Sequence, residues 1–307
     1  MQRIREIAHQ VFDSDIWYSF TSSKVTMLAA VVTIMFIVSA VLAPLIAPQN
    51  PFNPGDLNLM DAFTPPVWYH AGMVHYVLGT DDQGRDIFST ILFGSRISLL
   101  VGVGAMLMAM VIGVALGLLS GYAGGALDNF IMRVADVTLS FPALLVAMLI
   151  DGVVRGIFPN VTQDQSAIYV LIFSIGVSSW PPFARTVRGS TMVERNKEYV
   201  QAARIIGRSP AAIMGQHVLP NVMGPVLVIG TIGLAISILT EASLSFLGVG
   251  MPPTTPSLGT LIRIGNDFLF SGEWWIVVFP GAALAILILA VNLLGDWLRD
   301  ALNPKLR

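Results

Sequence analysis

The sequence predicts an all-α polytopic membrane protein with six transmembrane helices. Three observations carry that expectation. Of 307 residues, 54% are hydrophobic and only 12% charged, whereas soluble domains carry about 25% charged residues. Five runs of 19 to 31 residues hold no charge at all, and about 20 apolar residues suffice for a helix to cross the hydrocarbon. Basic residues gather in segments that six crossings would place on one side. Mean hydropathy is +0.73. This composition excludes an ordinary soluble enzyme and a disordered chain. A net charge of -2 offers no field for a nucleic acid. With no cysteine, disulfides, thiolate metal sites and cysteine nucleophiles are excluded too.

Residues 1–24 form a polar N-terminal segment ahead of the first span, Val25–Ala47. That span starts too late and runs too long for a cleavable signal peptide. Residues 48–95 form a long loop whose Pro48, Pro51, Pro54, Pro65 and Pro66 prevent regular helix. The second span is Ile97–Leu127, with a tight turn expected at 120–129. The third, near Phe130–Ile150, carries Arg133 and Asp136 near its start. A short loop at 151–165 leads to the fourth, Ser166–Ala184. The segment 185–220 follows, then the fifth span, Asn221–Thr240, a loop at 248–273 and the sixth span, Trp274–Gly295. Residues 296–307 form a tail, so 96–295 is a five-helix core. Twelve of the 17 basic residues lie in the N-terminal segment, in 185–220 and in the tail. The positive-inside rule then places both termini in the cytoplasm.

The 185–220 segment holds six of those basic residues. Met192, Tyr199, Ala203 and Ile206 are spaced to form one apolar helix face. Gly207 supplies a helix stop. Ser209 and Pro210 then read as an N-cap and a first helical position. A second short helix should run from Pro210 to about Val218, ended by Pro220. A solvated basic loop has no need of so well specified a turn, and a short rigid helix fits a partner's groove.

Gln201-Ala202-Ala203, then Gly207, then Leu219-Pro220 resembles the EAA loop of ATP-binding-cassette importer permeases. Gln201 stands where that pattern has Glu, and His217 where it has Ile. Leu78 to Ser89 with Gly94 to Leu99, Asp128 to Pro142, and Glu241 to Gly250 look like segments of peptide and nickel permeases. From about residue 20 onward the chain is similar to the "C"-type permease subunit of dipeptide/oligopeptide importers. The resemblance implies the type I importer fold in a bacterial cytoplasmic (inner) membrane. It implies a second, homologous permease, two ATP-binding subunits that hold ATP and magnesium, and an extracytoplasmic substrate-binding protein. It makes Gln201, Ala202, Ala203, Gly207, Ser209, Pro210, His217, Leu219 and Pro220 the loop that couples to the ATPases. The chain has no phosphate-binding Gly-x-x-x-x-Gly-Lys motif, so no enzyme activity or cofactor of its own is expected. Nickel, glutathione and antimicrobial peptides stand as alternative substrates.

Gly113, Gly117 and Gly121, with Gly125, recur every fourth position, a spacing that lets helices approach closely. They suit packing within the subunit or against the second permease better than a pore. Ionisable groups in spans are functional candidates. Arg133 and Asp136 share a helix face and suit an ion pair better than a substrate site. Glu241 suits a brace of the outer gate, with contact to a peptide amine as the other role. His70 and His75 are too few for a nickel site. A secondary transporter would show more spans and paired midplane charges. A membrane enzyme would need a clustered catalytic set that the sequence does not offer.

Overall fold

The computed structural model describes residues 15–69, 72–157 and 164–301. Among these residues the regular elements are helical, apart from one isolated bridge between Thr80 and Asp86. In order they are α1 (Asp15–Ser22), α2 (Lys24–Val41), α3 (Ala43–Ile46), α4 (Ile87–Ala123), α5 (Gly125–Leu139), α6 (Ala143–Ile157) and α7 (Asp164–Ser178). Then follow α8 (Pro181–Glu194), α9 (Glu198–Ile205), α10 (Pro210–Ile213), α11 (Leu219–Phe246), α12 (Leu258–Phe268) and α13 (Trp275–Ala301).

Four helical runs are long and apolar enough to cross a membrane: α2, α4, Pro210–Phe246 and α13. Two bent pairs, α5 with α6 at 97° and α7 with α8 at 45°, raise the number to six if each is one span. Both bends lie beside proline, at Pro142 and at Pro181-Pro182, whose missing N–H interrupts the helical hydrogen bonds there.

Helix α4 differs from the apolar run that announced it. It begins at Ile87, ten residues earlier, because the Asp86 carboxylate accepts hydrogen bonds from Ser89 N at 2.8 Å and Ser89 Oγ at 2.6 Å. It ends at Ala123 because Gly124 (φ 67°) and Gly125 (φ 61°) both take conformations that side chains resist. Its 37 residues span about 55 Å, more than the hydrocarbon core, so both ends project.

The second difference concerns Pro220. It does not end a helix. Helix α10, one π-helical turn at Met214–Val218 and α11 form a continuous helical run, with Pro220 near the start of α11. The wider turn shifts hydrogen-bond register just where proline lacks an N–H.

The core packs around α4. Val101 and Ala105 pack with Ala147 of α6, Leu171 and Ile175 of α7 and Leu244 of α11. Leu258 and Leu261 of α12 pack with Ile238 of α11 and Leu287 of α13. Helix α2 lies outside, against α13 and α4, with Leu28, Val31, Met35 and Val38 exposed.

Candidate functional site

The 185–220 segment is α8 from Arg185 onward, a turn, α9, a sharp knuckle and α10. Residues 195–197 break the helix, so Met192 lies on α8 while Tyr199 and Ala203 lie on α9. The expected single apolar face therefore does not form. Val200 and Ala203 are the buried residues of α9, and Ile205 and Ile206 project at 87% and 79% exposure. The cause is Gly207 (φ 81°). Arg208 N donates to Ala203 O at 3.1 Å and Gly207 N to Arg204 O at 3.0 Å, a Schellman stop that turns the last residues outward. Ser209 Oγ then accepts from Ala212 N at 3.3 Å, and Pro210 opens α10. The knuckle is thus a rigid, exposed corner with an apolar tip.

Gln201 and Ala202 are exposed beside this corner, and Gln201 Nε2 donates to Asn196 O at 3.0 Å. His217 and Leu219 are half-buried, and Pro220 is exposed. Tyr199 donates to Glu194 and accepts from Asn221 Nδ2 at 3.2 Å, tying α9 to α11. Burial first, then the Glu194 carboxylate, pushes the Tyr199 phenol up to about 12.

The glycine repeat packs within the subunit, α4 against α8. A Cβ on Gly113 would lie 2.4 Å from Phe183 Cβ, on Gly117 2.6 Å from Ala184 O, and on Gly121 2.7 Å from Thr191 Cβ. Gly125 is apart from this row, in the turn, with open space around it.

Arg133 and Asp136 do not pair. Asp136 instead meets Arg185 Nη2 at 2.6 Å, with both side chains about half exposed. Arginine from the adjoining α8 reaches the carboxylate from across the helix pair, which a spacing argument along one helix cannot foresee. Glu241 is fully buried. Ser98 Oγ donates to it at 2.8 Å and Ser245 Oγ at 2.7 Å. Those hydroxyls in turn accept from Leu258 N and Met251 N, so Glu241 braces α4, α11 and the start of α12.

Sequence reasoning missed the long-range arginine contacts. Arg188 grips Asp128 with two bonds, at 2.5 and 2.6 Å, and Ser120 also donates to Asp128. Arg195 Nη1 donates to Gly121 O at 2.8 Å, and Arg204 lies 5.0 Å above the Tyr122 ring. At the opposite end Arg85 bonds Asp81 at 2.6 Å and Pro253 O at 3.2 Å. Arg155 bonds Asp151 at 2.7 Å and Val249 O at 3.2 Å. The one available signal was Asp128, a lone acid near the expected turn of a chain whose next polar segment is basic. Burial raises the Asp82 and Asp86 carboxyls above the ordinary range, and at Asp86 it does so against the lowering effect of the Ser89 hydrogen bonds.

His75 packs edge-on to Tyr76. His70 lies outside the described residues. Among the described residues no three His, Cys, Asp or Glu side chains gather as metal ligands do.

Comparison with known proteins bears on this arrangement. Residues 113–307 match the family model described as binding-protein-dependent transport system inner membrane component. Residues 13–66 match the N-terminal TM domain of oligopeptide transport permease C. The dipeptide transport system permease protein of Haemophilus influenzae is 37% identical over 95% of this chain and 95% of its own. The oligopeptide transport system permease protein of Bacillus subtilis is 34% identical over 95% and 90%. A chain of the MetNI methionine ABC transporter, in an inward-facing conformation, superposes at TM-score 0.55 and 20% identity. That likeness covers 71% of this chain and 98% of the other, and it concerns the fold.

Proposed function

We propose a mechanism from one premise: the chain belongs to the family of binding-protein-dependent transport system inner membrane components. It is a permease of the type I importer fold in the dipeptide and oligopeptide branch. As such it is a membrane component and not an ATPase. The finer reading is that it moves di- or oligopeptides inward across the cytoplasmic membrane. It pairs with a second, homologous permease, two ATP-binding subunits and an extracytoplasmic substrate-binding protein. ATP and magnesium sit on the ATP-binding subunits. Both termini and the 185–220 segment face the cytoplasm.

The observation that carries this reading is the knuckle at Ile205–Pro210. An exposed apolar corner suits a cleft in an ATPase. It continues without a break into the run Pro210–Phe246, which crosses the bilayer. Closing of the ATPases would push the corner, and a helix transmits a push along its axis with little loss. The spans then exchange inward-open and outward-open arrangements, a two-state change biased by nucleotide.

Reconstitution of the whole transporter in proteoliposomes tests this. The expected result is accumulation of labelled dipeptide that needs ATP, the binding protein and this chain. Equal accumulation with the ATP-binding subunits omitted would refute it, and accumulation of nickel in place of peptide would refute the substrate.

A further inference from the structure

Resting on that reading, we infer that Arg188 and Asp128 are positioning residues that relay movement of the coupling segment into the broken span α5–α6.

Three observations build the relay. First, α4 and α8 form one body. The row Gly113, Gly117, Gly121 leaves no room for even a methyl group between them, so the two helices move together. Second, α5 leaves that body through a loose joint. Gly124 and Gly125 both have positive φ, and a side chain added at Gly125 would meet nothing within 4 Å. A Cβ at Gly124 would meet only the end of the Arg195 side chain, at 3.3 Å, so little packing at these two glycines defines an angle. Third, Asp128 stands one turn beyond that joint and is gripped from α8. Arg188 Nε and Nη2 reach its two oxygens at 2.5 and 2.6 Å, and the Asp128 side chain is only 10% exposed. Ser120 on α4 donates to the same carboxylate.

The fork geometry matters more than the charge. Two parallel bonds between planar groups determine orientation as well as distance. Ile131 and Ala135 of α5 also pack on this body against Trp180 and Ala184, an apolar contact that is non-directional. The second charged strut, Arg185–Asp136, is about half exposed on both sides, where ion pairs contribute little. The angle of α5 to the α4–α8 body is therefore set by the Arg188–Asp128 fork. Arg195, bonded to Gly121 O, ties the end of α8 to the last turn of α4 beside the same joint.

The chain has no cysteine, so spin labels can be placed freely. Labels at Val134→Cys on α5 and Val193→Cys on α8, both exposed, report their separation in the complete reconstituted transporter, with and without vanadate-trapped nucleotide. The wild type should give one narrow distance distribution in each state. Arg188→Gln and Asp128→Asn should broaden it and lower labelled alanyl-phenylalanine taken up per ATP hydrolysed by about 5- to 150-fold, the range of typical site couplings. ATP hydrolysis itself should persist. Arg188→Lys, which keeps charge and loses the fork, should rescue only in part, and the exchanged pair Asp128→Arg with Arg188→Asp should rescue more. Unchanged distributions and uptake per ATP in the assembled Arg188→Gln and Asp128→Asn complexes would overturn the relay. If wild type imports no dipeptide, the substrate reading fails, and the distance measurement alone decides the relay.

Discussion

The two ends of the molecule are held in different ways. At the end bearing loop 248–257, the contacts are short, buried and numerous. Glu241, Ser98 and Ser245 are all buried, and the backbone N–H groups of Met251 and Leu258 close onto the serines. At the end bearing 185–220, partly exposed arginines reach across, Arg185 to the half-exposed Asp136 and Arg188 to the buried Asp128, and two glycines open a joint. Buried networks of satisfied polar groups have one good arrangement, because each unmade bond there is costly. Half-exposed long side chains can exchange partners with water at little cost. The first end is thus built as a block, and the second as a place where movement enters.

Substitutions can break or sharpen that contrast. The largest effect is expected for Glu241→Leu, which removes the shared acceptor of the buried Ser98, Ser245 and Ser257 hydroxyls. A loss of about 4 kcal/mol is expected, read as failure to assemble or a strongly lowered denaturation temperature. Glu241→Gln should recover most of it. Gly117→Val comes next, since the new side chain would strike Ala184 O and Val187. Overpacking of this kind costs about 3 kcal/mol, and a denaturation temperature equal to the wild type would contradict the packing of α4 on α8.

Gly207→Ala should cost only about 1 kcal/mol, from left-handed backbone strain, because nothing crowds that position. Its signature should be functional. Uptake per ATP should fall while the denaturation temperature holds, the opposite of the Gly117 result. Gly207→Pro should uncouple fully, and normal uptake by that assembled variant would remove the knuckle from the mechanism.

The smallest effect concerns pH. Burial raises the Asp82 carboxyl above its ordinary value. A raised carboxyl lends its full stabilisation below the unfolded value, about 3.9, and loses it as pH climbs through the folded value. Asp82→Asn should flatten stability across that window and match or slightly exceed the wild type at neutral pH. A denaturation temperature that falls at pH 7 would show that the Asp82 charge is needed, for example by Arg85, which lies 4.0 Å away.

The local features were legible because they depend on neighbours in the chain. Ser209-Pro210 caps α10, Gly207 stops α9, and the every-fourth glycine row marks a close helix contact. Each rests on backbone sterics or a bond within four residues. The failures follow from the same rule. The stripe from Met192 to Ile206 assumed one unbroken helix, and the chain turns at 195–197. Pro220 was expected to end a helix, and a π turn carried the helix past it. Arg133 and Asp136 had the spacing to pair, and Arg185 was nearer in space.

The sequence by itself determined the all-helical membrane class and the family, because apolar length and local motifs are properties of a linear string. Only the tertiary structure decided which charges meet. Arg188 and Asp128 stand 60 residues apart, and Ser98 and Glu241 stand 143 apart. Their bonds exist because glycines let α4 and α8 touch and because α11 packs on α4. A low-dielectric interior makes such pairings decisive, and no spacing along the chain records them.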